Sequence, residues 1–378
     1  MKINNQKSKI KNLFIALFLL SAACSPKQEA ETNRVVLAYV TSWGTIMPDP
    51  DVITHINYAF GHVNESFNGV MINRPPRPNS NNANDGRATS EDRLKSIVEL
   101  KKQKPSLKIL LSIGGWGSGR FSEMAADETN RLAFAADCQR IVQEFDLDGI
   151  DMDWEYPTSS MSGISSLPED MDNFTLLMRD IRNAIGKDKL LTFASAANAK
   201  YVDFAAVEPY VDFINIMTYD INVNGSAHHA GLFRSELTGD GHSCEESVNL
   251  HVEAGIPIHK LVLGMPFYGH GRDSVPRSVT FRNQIVRNDV TGVGFMNRRN
   301  IVQLKGHSDM WDDEAQAPYW VDSDGKFVFS YENPRSIAIK CEWLNQKGML
   351  GAMYWEYAGD DDHGTLRKAV YDGVMNCE

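Results

Sequence analysis

The prediction of the fold rests on the stretch Asp148-Gly149-Ile150-Asp151-Met152-Asp153-Trp154-Glu155-Tyr156-Pro157. Apolar residues and glycine separate the acids, which is typical of a strand buried on both faces. Because side chains alternate along a strand, Asp151, Asp153 and Glu155 point to one side and Asp148 points to the other. Acids in series at the end of a buried strand are costly to desolvate, so we interpret them as an active site.

Two alternatives for these acids are weaker. A solvated acidic edge would need an exposed strand, which the apolar neighbours contradict. A site for a hard metal cation usually draws on loops, and no aspartate- or asparagine-rich loop follows directly after these acids. We therefore predict no metal and no cofactor.

Short apolar runs alternate with amphipathic segments from residue 35 onward, and this alternation predicts a (β/α)8 barrel. In such a barrel the acidic side of the strand faces the lumen. An open doubly wound sheet is the alternative, but no glycine-rich phosphate loop follows the first run. The eight runs are Val35–Val40, Ile53–Phe60, Lys108–Ile113, Leu147–Asp153, Leu190–Ser195, Phe213–Met217, Leu261–Pro266 and Leu350–Trp355.

The chain has 378 residues, which at about 150 residues per domain suggests two domains, yet α/β barrels often run longer as one. We expect a single catalytic domain at 35–378. Polar residues 61–90 and a longer break at about 270–334 interrupt the alternation and could wall a cleft. Alternating segments in the longer break predict a small α+β insertion after the seventh strand, in which Trp311 and Trp320 could line a groove.

The N-terminus reads as a lipoprotein-type signal peptide over residues 1–23. Its four lysines precede the apolar run Leu13–Leu20 and a cleavage site of small residues, and Cys24 follows directly. This order predicts lipidation of Cys24, with residues 24–34 as a tether; simple cleavage with an unmodified Cys24 is the alternative. We expect an extracytoplasmic protein anchored to a bacterial membrane, on the periplasmic side or the cell surface.

The formal net charge of −11 at pH 7 argues against a nucleic-acid binder, which needs a basic surface. A neutral or cationic ligand fits this surface better. The remaining cysteines, Cys138, Cys244, Cys341 and Cys377, lack the spacing of metal ligands, and we assign no chemistry to them. We expect a monomer.

The spacing of the acids also predicts their protonation. Close carboxylates cannot all ionise, so we expect Asp151 and Asp153 to share a proton and Glu155 to have a raised pKa. A carboxylic acid that stays protonated near neutral pH is what general-acid cleavage of a glycosidic bond requires.

The same stretch resembles the DxxDxDxE signature of family 18 glycoside hydrolases, with the WEYP ending seen in its chitinases. Further segments resemble the family's motifs in order along the chain, over about residues 35–370. They are Tyr39 in the first strand, Tyr58-Ala59-Phe60, Ser112-Ile113-Gly114-Gly115-Trp116, Met217-Thr218-Tyr219-Asp220, Met265-Pro266-Phe267-Tyr268-Gly269 and Trp355.

The resemblance implies a substrate-assisted, retaining hydrolysis in which the 2-acetamido oxygen of the sugar is the nucleophile, an exception to the scheme with two catalytic carboxylates. Glu155 would protonate the glycosidic oxygen and then act as base toward water. Asp153 would orient the acetamido group, Asp151 would tune the charge of Asp153, and Tyr219 would hydrogen-bond the acetamido carbonyl.

The resemblance also implies the substrate-binding residues. Trp355 would form the floor of the subsite for the distorted sugar, because the C–H faces of a pyranose stack on aromatic rings, although packing is the alternative for each aromatic residue. Gly114 and Gly115 fit a close backbone approach rather than phosphate binding. The other candidates are Tyr39, Phe60, Gly115, Trp116, Met217, Asp220 and Tyr268.

Three functions remain open at this point. The leading hypothesis is a chitinase that hydrolyses β-1,4-linked N-acetylglucosamine polymers or oligomers. An endo-β-N-acetylglucosaminidase acting on N-glycans is the alternative within the same chemistry, but the WEYP ending and the insertion favour the chitinase. A non-catalytic chitinase-like lectin would typically lack one of the acids, and all of them are present.

Overall fold

The computed structural model describes residues 34–73, 90–223, 227–271, 295–298, 308–321 and 323–376. Residues 1–33, which include the leader, Cys24 and all of the tether except Arg34, lie outside the described residues, so lipidation and the domain boundaries stay predictions. None of the helices in the described ranges has the length and hydropathy needed to span a bilayer.

Eight parallel strands form a closed barrel, as the sequence predicts. Their order is β1-β14-β8-β7-β6-β5-β4-β2, and pairing of β1 with β2 closes the ring. The strands are β1 (Val35–Thr41), β2 (His55–Val63), β4 (Lys108–Gly114), β5 (Gly149–Asp153), β6 (Leu190–Ala196), β7 (Phe213–Met217), β8 (Leu261–Pro266) and β14 (Gly351–Trp355).

The helices cover the outside of the barrel, and their apolar stripes face it. In α4, for example, Phe174, Leu177 and Ile181 are fully or almost fully buried. Helix α7 begins at a capping box of Asn333 and Ser336. The helices are α1 (Ser90–Val98), α2 (Phe121–Ala126), α3 (Glu128–Glu144), α4 (Asp170–Ile185), α5 (Phe204–Val207), α6 (Cys244–Glu253), α7 (Pro334–Lys347) and α8 (Thr365–Met375).

The insertion after the seventh barrel strand contains an antiparallel sheet with the order β10-β9-β13-β12-β11. A hairpin around Gly325 pairs β12 with β13, in agreement with the alternating segments of the sequence. A helical part of the insertion would lie outside the described residues. The strands are β9 (Tyr268–Gly271), β10 (Phe295–Asn297), β11 (Ser308–Asp312), β12 (Ala317–Val321) and β13 (Phe327–Ser330).

Two details differ from the sequence-based expectations. The second barrel strand continues past Phe60 to Val63 and pairs with the short strand β3 (Val70–Met71), so the start of the 61–90 segment is a hairpin. Trp320 does not line a groove: it is almost completely buried, stacks on Phe329 with ring centroids 4.8 Å apart and therefore belongs to the core of the insertion.

Cys138, Cys244 and Cys341 are buried, and neither Cys138 nor Cys244 forms a disulfide. Cys377 lies outside the described residues. The barrel lumen holds its own apolar cluster, separate from the larger core between strands and helices. Leu37, Val262 and Met353 belong to this cluster and are fully buried.

Candidate active site

Asp151 is fully buried in the lumen, where hydrogen-bond donors from four other barrel strands surround its carboxylate. Its Oδ2 accepts from the hydroxyls of Tyr39 at 3.0 Å and Ser112 at 2.7 Å. Its Oδ1 accepts from the Thr192 hydroxyl at 2.6 Å and the Asn215 amide at 3.2 Å. Burial raises the pKa of Asp151, and these hydrogen bonds partly offset the increase.

Asp153 lies one position further along the same face of β5 and is also buried. Among the described residues, no hydroxyl, amide or ring N–H donates to its Oδ1. Burial, then the charges of Glu155 and Asp151, raise the pKa of Asp153 well above its usual range. Because Asp151 has the donors and Asp153 lacks them at Oδ1, Asp153 is the better place for a proton; a proton shared between the two stays a prediction.

Glu155 is the outermost acid, just past the end of β5, and it is partly exposed. Burial, and to a lesser degree the charge of Asp220, raise its pKa from 4.5 to about 7. The three acids therefore run from a fully buried, hydrogen-bonded carboxylate to an acid at the mouth of the barrel, as their alternation along the strand predicts. Glu155 can hold a proton near neutral pH and release it to a ligand in the cleft.

Tyr219 and Asp220 follow β7 and lie across the lumen from the acids. The Tyr219 side chain is buried beside Met353, and its hydroxyl lies 4.0 Å from the Met353 sulfur. Burial and the charge of Asp153 raise the pKa of Tyr219, so its hydroxyl keeps its proton and can donate a hydrogen bond.

Asp220 accepts hydrogen bonds from residues of the insertion. Its Oδ1 accepts from the Tyr268 hydroxyl at 2.6 Å and from His270 Nε2 at 2.7 Å. Although burial by itself would raise the pKa of Asp220, its interactions with the nearby His229 and His270 rings hold that pKa below its usual range. Asp220 is therefore ionised, with its side chain about half exposed toward the cleft.

Aromatic rings form one side of the site. Trp355, at the end of β14, stacks on Phe60 with centroids 5.5 Å apart and planes 19° apart, and the Tyr39 ring lies 5.6 Å from it. Trp355 keeps part of its surface exposed, whereas Tyr39 is buried and uses its hydroxyl on Asp151. Trp116 is 53% exposed further out, with its ring edge toward Tyr156.

The two glycines of the third barrel strand allow the acids and the aromatic side to approach each other. A Cβ on Gly114 would lie 2.0 Å from the Asp153 carbonyl oxygen, and one on Gly115 would lie 2.6 Å from the Phe60 ring. Both glycines also have positive φ angles, of 133° and 89°. The structure thus explains them by close backbone approach, as the sequence indicates, rather than by phosphate binding.

Most of the candidate residues meet in one place, at the mouth of the lumen. Glu155, Asp153, Tyr219, Met217 and Trp355 line it or lie next to it, and Asp151 and Tyr39 lie directly below. Asp148 lies outside, where it accepts from the Ile109 backbone N–H at 2.9 Å and pairs with Lys101. That position agrees with the structural role that its opposite parity predicts.

The sequence-based prediction missed two groups of residues. The donors Ser112, Thr192 and Asn215 could have been found, because they are the polar positions on otherwise apolar strands with inward parity. His229 and His270 had no such signal, since they belong to a loop and to the insertion, and only the fold brings them to Asp220.

Carboxyl groups with raised pKa values at the C-terminal ends of barrel strands, beside an aromatic side, define the acid–base site of a (β/α)8-barrel enzyme. The comparisons with known proteins identify the family. The chain belongs to the glycosyl hydrolases family 18, whose model matches residues 35–360.

Two chitinases are similar to this chain over most of its length. Chitinase A1 of Niallia circulans is 31% identical, with 96% of this chain and 62% of the relative covered. The endochitinase of Manduca sexta is 27% identical, with 89% and 65% covered. The chain thus spans slightly less than two thirds of the length of these two relatives.

Solved structures support the same fold. A family 18 N-acetylglucosaminidase from Paenibacillus barengoltzii superimposes with a TM-score of 0.75 at 33% identity, over 90% of this chain and 99% of the other. Chitinase ChiA74 from Bacillus thuringiensis gives a TM-score of 0.75 at 26% identity, over 91% and 70%.

Proposed function

We propose that the protein is a chitinase-type glycoside hydrolase that cleaves β-1,4 linkages between N-acetylglucosamine units. The observation that carries the proposal is the position of Glu155: it is the outermost of three buried-strand acids, and its pKa is raised to about 7. An acid at that position can protonate a glycosidic oxygen at neutral pH, and its conjugate base can then accept a proton from water.

The proposed mechanism is substrate-assisted and retains the anomeric configuration. Asp153 lies behind Glu155, and its Oδ1 has no donor in the described structure, so it is free to accept the N–H of the substrate's acetamido group. The Tyr219 hydroxyl, protonated and across the lumen, would hold the acetamido carbonyl for attack on the anomeric carbon. As the acetamido oxygen bonds to the anomeric carbon, the glycosidic bond breaks and its oxygen takes the Glu155 proton. Water then attacks the anomeric carbon from the face that the leaving group has left and gives a proton to Glu155, while the bond to the acetamido oxygen breaks, so the configuration is retained.

Asp151 supports this chemistry without touching the sugar. Its donors keep a charged or partly charged carboxylate directly behind Asp153, and that charge raises the pKa of Asp153. Trp355 would stack on the apolar face of the sugar, and Phe60 holds its indole ring in place from the other side.

Two related activities are the alternatives to a chitinase. The similarity to a family 18 N-acetylglucosaminidase, which matches this chain over nearly its whole length, favours release of single sugars from chain ends as the second candidate. Cleavage of N-glycans is the third. All three use the same acids, so the product and the substrate distinguish them.

The experiment compares wild type and Glu155→Gln on chitooligosaccharides and on a high-mannose glycoprotein. Release of disaccharides or longer products from chitooligosaccharides by the wild type alone supports a chitinase. Release of monosaccharide alone supports the N-acetylglucosaminidase, and cleavage of the glycoprotein alone supports the N-glycan enzyme. Binding of chitooligosaccharides without cleavage would identify a lectin and overturn the proposal.

We also propose that Cys24 is lipidated and anchors the protein to a bacterial membrane outside the cytoplasm. The support is the sequence order of basic, apolar and small residues before this cysteine. Expression of wild type and Cys24→Ser in a bacterial host, followed by detergent phase partitioning, tests it. Wild type in the detergent phase and the variant in the aqueous phase are expected; equal partitioning would contradict the anchor.

A further inference from the structure

A histidine pair and a carboxylate form a cluster at the edge of the active site. One nitrogen from each of His229 and His270 and one oxygen of Asp220 all lie within 4.8 Å of one another. Asp220 Oδ1 is 2.7 Å from His270 Nε2 and 3.8 Å from His229 Nδ1. The three residues come from the segment after β7, a loop and strand β9, so neither spacing nor a motif predicts the cluster.

His229 is the unusual member. It is fully buried, and neither of its ring nitrogens has a hydrogen-bond partner in the described part of the chain. A buried imidazole without partners costs free energy unless another group satisfies it. Its Nδ1 points toward the Asp220 carboxylate, at a distance too long for a hydrogen bond but suitable for two ligands of a common ion.

We propose that Asp220, His229 and His270 form a binding site for a divalent transition-metal ion of the zinc class. Ligands of a tetrahedral zinc ion lie about 3.3 Å apart, given metal–ligand bonds of roughly 2.0–2.1 Å. The separations of 2.7 and 3.8 Å lie on either side of that value, and the separation of the two histidine nitrogens is at most 4.8 Å. Side-chain movements of about an ångström would therefore bring the three atoms to the spacing of zinc ligands.

The surroundings of the three ligands resemble a built site. The His229 backbone N–H donates to the Ser330 hydroxyl at 3.2 Å, and His270 pairs with Ser330 between strands β9 and β13, so Ser330 contacts the backbone of both histidines. The Tyr268 hydroxyl donates to the Asp220 carboxylate and would orient it as an outer-shell partner. Asp220 is about half exposed, which leaves an entry path and an open coordination position for water.

The donor set decides which ion to expect. Two neutral imidazoles and one carboxylate suit zinc, nickel or copper, whereas magnesium and calcium prefer sets made only of oxygen. A bound dication would reverse the sign of the charge that Asp220 now presents toward Glu155. We therefore expect zinc to lower hydrolytic activity, reversibly on chelation.

The test uses tag-free protein that has been treated with a chelator and dialysed. Isothermal calorimetry with Zn²⁺ alone measures binding for the wild type, His229→Asn and His270→Asn, with exposed His363→Asn as the matched control. We expect one Zn²⁺ per chain in the wild type and in the control. Replacing either histidine ligand should weaken Zn²⁺ binding more than about 100-fold. Changing a residue that only supports a ligand weakens metal binding by roughly 10–100-fold, so a larger effect identifies a ligand.

Zn²⁺ binding is measured without hydrolysis. Failure of the metal-site proposal can therefore be distinguished from failure of the proposed function. Circular dichroism without metal checks folding, and His270→Asn serves if His229→Asn does not fold. Co²⁺ should give the intense visible absorption of a tetrahedral site in the wild type, and Mg²⁺ should give no heat. Unchanged Zn²⁺ affinity in folded His270→Asn, or no stoichiometric binding by the wild type, would overturn the proposal.

Discussion

Replacing Glu155 by glutamine should stabilise the protein at alkaline pH while it strongly lowers activity. The folded-state pKa of Glu155 is raised from 4.5 to about 7, so the folded protein binds this proton more tightly than the unfolded chain does. The contribution of this proton to the free energy of unfolding is fully present below pH 4.5 and is lost as the pH rises to about 7. At higher pH the contribution stays lost and does not change further. The difference between the two pKa values corresponds to about 3 kcal/mol at most.

Glutamine has nearly the same shape and carries no proton to lose. The free energy of unfolding of E155Q, relative to wild type, should therefore rise by up to about 3 kcal/mol between about pH 4 and about pH 8.5. For a chain of this length that is about 4 °C in the midpoint of thermal unfolding. The charge of Glu155 also contributes, after burial, to the raised pKa of Asp153, so its removal acts in the same direction.

The assay is thermal unfolding of wild type and E155Q at the two pH values, with exposed Glu123→Gln as the matched control. The midpoint of thermal unfolding of the control should differ from that of wild type by less than about 1 °C at both pH values. Activity of E155Q on chitooligosaccharides should fall about 100- to 10,000-fold. A midpoint difference between E155Q and wild type that is the same at both pH values would refute the reasoning, because the carboxyl group would then have no raised pKa.

Three further outcomes follow from the site. If Glu155 must be protonated to act, kcat/KM should fall as the pH rises through about 7; a constant value up to about pH 9 would contradict its role as the acid. Gly114→Ala places a Cβ 2.0 Å from the Asp153 carbonyl and should lower the unfolding free energy by more than about 3 kcal/mol. Gly163→Ala is its control, because φ is also positive but nothing lies within 4 Å, and denaturant titration should show about 1 kcal/mol. Trp355→Ala should lower kcat/KM about tenfold through loss of stacking, with an unchanged circular dichroism spectrum; full activity would remove Trp355 from the sugar site.

The sequence was sufficient for the barrel because its signals are local. Each buried parallel strand is an apolar run, and the parity of Asp151, Asp153 and Glu155 follows from backbone geometry alone. The predicted end of the second strand was wrong for a physical reason: the strand extends to Val63 because it pairs with Val70 and Met71, an apolar pair too short to predict as a strand. Trp320 was misplaced because an aromatic residue in an alternating strand has the same pattern whether it faces a core or a groove.

What the sequence could not supply is the set of contacts between distant strands. The donors to Asp151 come from residues 39, 112, 192 and 215, and nothing local states that they converge. The cluster around Asp220 needs the insertion to fold back over the end of β7. Its histidines are 41 positions apart, so only the tertiary structure makes them neighbours.

Closure of the barrel and the acidity of Glu155 are linked through Asp151. Its donors come from strands on both sides of β5. The carboxylate therefore has all four hydrogen bonds only when the ring of strands is complete. With Asp151 held by four donors, the proton available to this row of acids is displaced outward, to Asp153 and Glu155. Burial also decreases outward along the row. The innermost acid, Asp151, has four hydrogen-bond donors, and the outermost acid, Glu155, is within reach of a ligand. A barrel that lost one of these donors, for example Thr192, should therefore change the pH dependence of catalysis as well as its stability.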